Sequence, residues 1–500
     1  MHFIMTIVTM SSELSVEQES FDSPRGEMAW LADLVYVNGR FERSLALVCD
    51  RRGRVVQLTR SLPDGVHVVR LRGRVILPGL VNAHSHAFQR ALRARTERRT
   101  AERDSFWTWR EMMYELAARL GPEELRAISR MAFLEMALGG VSTVGEFHYL
   151  HHAPEGTPYD EPVLLAKVVI RAALDVGLRV SLLHALYMRA GFDRALDKRQ
   201  RRFVHEDVET YFEGVKALRR EFRDEERVRV GVAPHSVRAV PREALREVAK
   251  FAAHERLPVH MHVAEQPAEI EACLQEYGHT PVRLLAEEGM LNERFTAIHA
   301  IHIDEDEARL LGEAKAHVCA CPTTERNLGD GIVAADTLLR HGARIALGTD
   351  SHAQIDLFED ARELELNLRL KRLGRALLAP AMKDERNSAI GSGGGDESEG
   401  ESLATRLFAA ATENGASSLG CEAGRLAAGA WADFFTVDLN DPAIVGADDS
   451  SLLAHIVFAA GRSAVRDVVV GGKMIVRDGK HEAQDEIAAE FAALQKRLWS

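Results

Sequence analysis

Cysteine is scarce in this chain, and its scarcity excludes a disulfide-built fold. Five cysteines (Cys49, Cys273, Cys319, Cys321 and Cys421) in 500 residues are no disulfide framework. They point to a reduced, cytoplasmic setting. Cys319 and Cys321 alternate in HVCACP and read as strand packing, since no second cysteine pair completes a zinc site. Long apolar runs are missing too. None reaches the roughly 18–20 residues that cross a bilayer, so no membrane partner is expected. The apolar opening MHFIMTIVTM lacks a basic start and a small-residue cleavage site, and runs into acidic SSELSVEQES. It reads as a disordered extension over residues 1–27, with Met28 a sensible alternative beginning, rather than as a signal peptide. Positive charge is in deficit: 63 Lys+Arg stand against 75 Asp+Glu, a net charge of -12, which argues against a nucleic-acid partner. An anionic substrate would therefore need local arginines to overcome the global field.

What is present is enough apolar sequence, 46%, for a sizeable core. Between Trp30 and Ile76 short β runs alternate with turns, and Asn38-Gly39 and Arg52-Gly53 are hairpin signals. The texture returns in ADFFTVDL and VRDVVVGGKMIVRDGK, with Gly471-Gly472 as another turn. Two β-rich ends predict one small β-sandwich, from residues 28–76 and 421–485, with a C-terminal helix over 486–500. The middle, 77–420, alternates strands with amphipathic helices such as PEELRAISRMAFLEMAL and PREALREVAKFAAH. Eight predicted strands (VILPGLV, TVGEFHY, RVSLLHAL, RVRVGVAPH, PVHMHVA, TAIHAIH, AHVCACP and RIALGTD) imply an α/β fold, a (β/α)8 TIM-like barrel. The Gly/Ser/acidic stretch 391–402 reads as a flexible insert.

In such a barrel the C-terminal ends of strands carry the chemistry. Strand one ends in His84 and His86, strand five offers His260, His262 and Glu265, strand six offers His299 and His302, and strand eight ends in Asp350. Residues two apart on a strand share a face, so His84 and His86 can enter one space. An imidazole from strand five and a carboxylate from strand eight complete a pocket, because strands eight and one are neighbours on closure. Imidazoles with one carboxylate suit a divalent cation such as Zn²⁺, whose bound water becomes a nucleophile near neutral pH. Packing offers no reason for polar residues at all those ends.

LPGLVNAHSH, HMHVAE, AIHAIH and GTDSH resemble the amidohydrolase superfamily, in its aminohydrolase (deaminase) branch, over essentially the whole chain after residue 27. The resemblance implies His84, His86, His262 and Asp350 as metal ligands. Two-metal members bridge their ions with a lysine on strand four; RVRVGVAPHSV has none, so one divalent ion, zinc foremost, is expected. It also implies Glu265 as the proton shuttle, His299 as the residue that polarises the nucleophilic water, and Asp350 as a second acceptor of its proton. His260 and His302 would face away from the pocket or pack behind its lining.

HSHAFQRALRARTE, SFWTWREMMY, GEFHYLHH, APHSVRAV and CPTTERNLGDGI are similar to motifs of the branch's deiminases of histidine breakdown. These hydrolyse N-formimidoyl-L-glutamate to N-formyl-L-glutamate and ammonia, with hydroxide on the metal attacking the formimino carbon. The resemblance implies Gln89, Tyr149, His235, Arg110 and Arg238 as substrate contacts, Arg110 from its own subunit or a partner's, and a homodimer. Arginine forks pair bidentately with carboxylates, and this substrate has two. Trp107, Trp109 and Tyr114 read equally as packing or pocket wall, and Asn327 and Asp330 as loop shaping or substrate contact. Three other readings stay open: a deaminase of a ring such as guanine or an adenosine-type nucleoside, an amidase-type hydrolase, and a non-catalytic barrel. A ring needs stacking surfaces rather than arginine clamps; a non-catalytic barrel should have lost its ligands.

Overall fold

The computed structural model describes residues 26–98, 104–192, 196, 198–380 and 402–500. The expected extension (but for residues 26 and 27) and insert (but for residue 402) lie outside them.

Eight parallel strands form the barrel: β1 (Leu80–Ser85), β2 (Val141–His148), β3 (Arg179–Leu186), β4 (Val228–Pro234), β5 (Val259–Val263), β6 (Phe295–His299), β7 (His317–Ala320) and β8 (Arg344–Leu347). Each pairs with the next, and a bridge between Ser85 and Asp350 closes the ring. Every residue of β2 and β3 is buried. Helices cover the outer face and side chains fill the inner one, so these strands read as apolar runs rather than alternating ones. The helix Pro122–Leu138 shows how the outer layer is specified. Proline opens its first turn, Glu124 accepts from the Gly121 N–H at 3.0 Å, and Leu125, Ile128, Phe133 and Met136 are buried.

The two chain ends build one further, nine-stranded sheet. Phe434–Asp438 pairs antiparallel with His67–Pro78, which itself runs parallel to Met28–Val37. The apolar core of this β-sandwich holds Trp30, Leu47, Phe434 and Val469, with the Trp30 and Phe434 rings 5.2 Å apart, edge to face. Asn38-Gly39 and Gly471-Gly472 form two-residue hairpin turns with positive φ at both positions. The C-terminal helix is Gln484–Trp499. No described helix is long and apolar enough to cross a membrane.

One expected strand divides. VILPGLV does not form the first barrel strand as a unit: Val75–Pro78 finish a strand of the small sheet, and the barrel begins at Leu80. Gly79 is the hand-over. Its N–H donates to Asp433 O at 3.0 Å, while Leu80 N–H turns to Gly140 O at 3.0 Å. A Cβ at Gly79 would lie 2.3 Å from Ser142 Oγ, so only glycine fits there.

Candidate active site

β1 projects His84 into the barrel, His86 follows directly after its last residue, β5 projects His262, and the turn after β8 brings Asp350 beside them. One donor atom from each lies within 4.8 Å of the others. Asp350 Oδ1 is 3.3 Å from His84 Nε2 and 3.4 Å from His86 Nε2, and the Nε2 atoms of His86 and His262 are 3.3 Å apart. His86 Nδ1 bonds Phe147 O at 2.9 Å and His262 Nδ1 bonds His235 O at 3.0 Å. Carbonyls accept only, so both Nδ1 atoms carry the proton and two Nε2 lone pairs face each other. That arrangement is repulsive unless a cation lies between them. Burial pushes His84 down to about 3 and His86 and His262 down as well, which keeps all three imidazoles neutral. Burial alone would raise the Asp350 carboxyl, yet the His84 ring beside it and the protonated His299 hold it well below the usual range. Metal–donor bonds of about 2.0–2.1 Å in tetrahedral geometry put donors about 3.3–3.4 Å apart. The residues fit one divalent cation, and β4 carries no lysine to bridge a second.

Next to this cluster stand Glu265 and His299, buried. His299 Nε2 lies 3.8 Å from Glu265 Oε1 and 3.8 Å from Asp350 Oδ2, and its Nδ1 lies 3.1 Å from Glu325 Oε1. Burial would depress His299, but the Glu325 hydrogen bond and the Glu265 and Asp350 charges outweigh it, and the ring is held protonated. Burial also raises the Glu265 carboxyl, against the pull of His299 and Arg238. Arg238 Nη2 is 3.5 Å from Glu265 Oε2, and its Nε is 3.3 Å from Glu269 Oε2. Ala264, His299 and Asp350 have φ of 51°, 70° and 42°, a conformation that non-glycine residues adopt at a cost.

Above the cluster, one pocket is lined by Gln89, Arg110, Tyr149, His235, Arg238, Glu265 and His299, with Trp109, Tyr114, Tyr187 and Phe203 completing the wall. Gln89 Nε2 donates to Tyr149 Oη at 2.8 Å, which leaves the buried Gln89 Oε1 without a partner. Arg110 lines the pocket of its own chain, its guanidinium 4.5 Å from the Trp107 ring centre, and makes no ion pair among the described residues. Trp107 is thus the support of Arg110 rather than wall. His260 turns outward to Ser418 O at 3.0 Å, and His302 bonds Asp330 O at 2.8 Å beyond the end of β6. Asn327 bonds Glu97 at 2.8 Å, and Gln266 donates to Asp330.

Sequence reasoning missed three buried carboxyls. Glu269 accepts from Ala264 N–H at 3.1 Å, and Glu325 accepts from Cys321 N–H at 2.9 Å beside His299. Glu146 receives Ser85 Oγ at 2.5 Å and Ala87 N–H at 2.8 Å, which fixes the backbone on either side of His86. Burial pushes Glu146 up to about 8. Their signal was position alone: Glu146 lies in the last half of β2, and Glu269 and Glu325 lie in the first turns of the helices after β5 and β7. Cys319 packs in β7 as expected, whereas Cys321 lies next to His299 and Glu325.

Residues 75–475 match the model of the amidohydrolase family. The chain is 37% identical to a formimidoylglutamate deiminase of Pseudomonas aeruginosa over 85% of this chain and 90% of that protein. It is 29% identical to a 5-methylthioadenosine/S-adenosylhomocysteine deaminase of Natronomonas pharaonis, over 84% of this chain and 86% of that one. The crystal structure of an amidohydrolase from Brucella melitensis superposes with a TM-score of 0.84 at 32% identity, covering 95% of this chain and all of that one. The chain belongs to the amidohydrolase family and is a hydrolase acting on C–N bonds.

Proposed function

We propose that the chain hydrolyses the formimino group of N-formimidoyl-L-glutamate, giving N-formyl-L-glutamate and ammonia. One observation carries the substrate choice: two guanidinium groups, Arg110 and Arg238, share a pocket with the histidine–aspartate cluster in a chain of net charge -12. A small acyclic dianion needs such local positive charge; a purine does not. The likeness to the Pseudomonas aeruginosa deiminase supports the same reading.

His84, His86, His262 and Asp350 would hold the divalent ion, zinc by donor chemistry. When bound, it supplies Lewis-acid chemistry and a water acidic enough to lose its proton near neutral pH. The chain's own groups do the rest. Glu265 Oε1 takes the proton from water and passes it to the departing nitrogen. His299 Nε2–H, aimed between Glu265 and Asp350, orients the attacking oxygen, and Asp350 offers a second proton acceptor. Water oxygen bonds the formimino carbon, the C–NH2 bond breaks, and ammonia leaves with the shuttled proton. Gln89, Tyr149 and His235 position the formimino end, while Arg110 and Arg238 hold the carboxylates.

The test compares steady-state ammonia release from N-formimidoyl-L-glutamate, its side-chain amide N-formimidoyl-L-glutamine, and guanine. The dianion should be turned over best, the amide should lose about 10–100-fold in kcat/KM, as expected for a lost charge-assisted contact, and guanine should be inert. Turnover of guanine without turnover of the formimino acid would reject the reading.

A further inference from the structure

A second group of histidines lies on the outer side of the barrel wall. His184 belongs to β3, His151 follows β2, and His205 follows the short 3-10 turn Lys198–Phe203. Phe147 packs against the rings of His84 and His262 inside the barrel, so its neighbour His148 faces out. His148 pairs in register with His184, whose ring stacks on Tyr211 of the helix Val208–Glu221. This group therefore sits between wall and helix, away from the substrate pocket.

Its geometry repeats that of the first cluster. The ring centres of His151, His184 and His205 are 4.3, 4.7 and 5.6 Å apart, against 4.6, 5.0 and 5.4 Å for His84, His86 and His262. One nitrogen from each ring lies within 4.8 Å of the other two. His151 Nε2 bonds Ala185 O at 2.9 Å, which assigns its proton there and leaves Nδ1 with a lone pair, as carbonyls do for metal-ligating imidazoles. Both nitrogens of the fully buried His184, and Nδ1 of His205, have no hydrogen-bond partner. Orphaned nitrogens on two buried rings, with the Nδ1 lone pair of half-buried His151 beside them, are costly unless something accepts them.

We propose that His151, His184 and His205 form a second cation site, for a late first-row divalent ion such as Zn²⁺, Ni²⁺ or Cu²⁺. Neutral imidazoles without a carboxylate disfavour Mg²⁺ and Ca²⁺. Burial depresses all three histidines, so no proton competes near neutral pH. An ion there ties β3 and the loop after β2 to the segment carrying Phe203, which walls the substrate pocket.

The experiment is equilibrium dialysis of chelated, refilled protein against Zn²⁺, with metal counted by mass spectrometry. Wild type should take up two equivalents, His205→Gln and His151→Gln one each, and His262→Ala one. With the first site filled by zinc, and its zinc shown by mass spectrometry to be retained, one equivalent of added Cu²⁺ should give an electron paramagnetic resonance spectrum split by three nitrogens. One equivalent in wild type, a second equivalent that survives both His205→Gln and His151→Gln, or a copper spectrum without imidazole nitrogen would each overturn the site. The wild-type count and the copper spectrum do not depend on the variants folding.

Discussion

At the scale of single residues, the electrostatics around Glu265 give the sharpest expectations. Glu265→Gln keeps the shape of the side chain but cannot accept a proton, so kcat should fall by about 10²–10⁴-fold while zinc content stays at the wild-type value. Parallel metal analysis and ammonia assay check this; a near-normal rate would remove the shuttle. Arg238 pulls the Glu265 carboxyl down against the burial that raises it. Arg238→Met should therefore raise the Glu265 pKa further. Because the ionised carboxylate is the working form, the acidic limb of the kcat/KM profile should move to higher pH, with a loss of about 10–100-fold on the plateau. A profile that drops uniformly without moving would make Arg238 a substrate contact only. Much at this scale was legible. His-Ser-His on one strand and Asp350 after another announce themselves by type and spacing. Glu269 and Glu325 do not, because a glutamate in the first turn of a helix is ordinarily a solvated partner of the helix dipole. Only the tertiary packing of these two turns over the barrel mouth reveals their burial.

At the scale of elements, the cluster depends on how β1 and β8 meet. Asp350 N–H donates to His84 O at 3.1 Å and His86 N–H to Asp350 O at 3.1 Å, so closure of the ring and ligand placement are one event. Gly348 lies at this seam, where a Cβ would fall 2.7 Å from His84 Cβ and 2.8 Å from His84 O. Gly348→Ala should cost about 1–3 kcal/mol in stability, and zinc affinity should fall with it, read by thermal melts and metal titration. An unchanged melt and affinity would show the seam to be compliant. Glu146 supports the same strand from β2. Since burial raises it to about 8, it is mostly protonated at neutral pH, and Glu146→Gln should be nearly silent. Glu146→Ala strands Ser85 Oγ and Ala87 N–H and should lose about 1–3 kcal/mol, checked by denaturant unfolding. The sequence made the barrel strands after the first visible as largely apolar runs, though β7 and β8 are shorter than the runs suggest. It did not show where VILPGLV passes from one sheet to the other, because a strand shared end to end between two sheets has no break in its hydrophobic pattern; only the crowding at Gly79 marks it.

At the scale of the molecule, the small sheet is riveted to the barrel by one buried ion pair. Arg179 of β3 meets Asp433 through Nε to Oδ2 at 2.6 Å and Nη2 to Oδ1 at 3.2 Å, and Asp433 Oδ1 also receives Gly471 N–H at 2.6 Å. The Arg179 guanidinium lies 3.8 Å from the Trp431 ring centre. Removing one partner leaves a buried charge alone, so Asp433→Ala should cost about 3–5 kcal/mol in global unfolding, with ligand geometry at the barrel mouth unaffected in any folded fraction. A cost below 1 kcal/mol, on the order of a surface pair, would deny the rivet. That both chain ends build one sheet was readable from β texture at the two termini. The partner that locks them was not, since Arg179 and Asp433 are 254 positions apart and each alone reads as a surface charge.

The central claim joins a divalent ion at His84, His86, His262 and Asp350 to deimination of an acyclic dianion. Its most direct test is ammonia release from N-formimidoyl-L-glutamate and from 5-methylthioadenosine by the same protein, stripped with chelator and then refilled with Zn²⁺. The expected result is no release from either compound by stripped protein, and zinc-restored release from the formimino acid alone. Restored release from the purine nucleoside alone, or undiminished release after complete stripping, would contradict it.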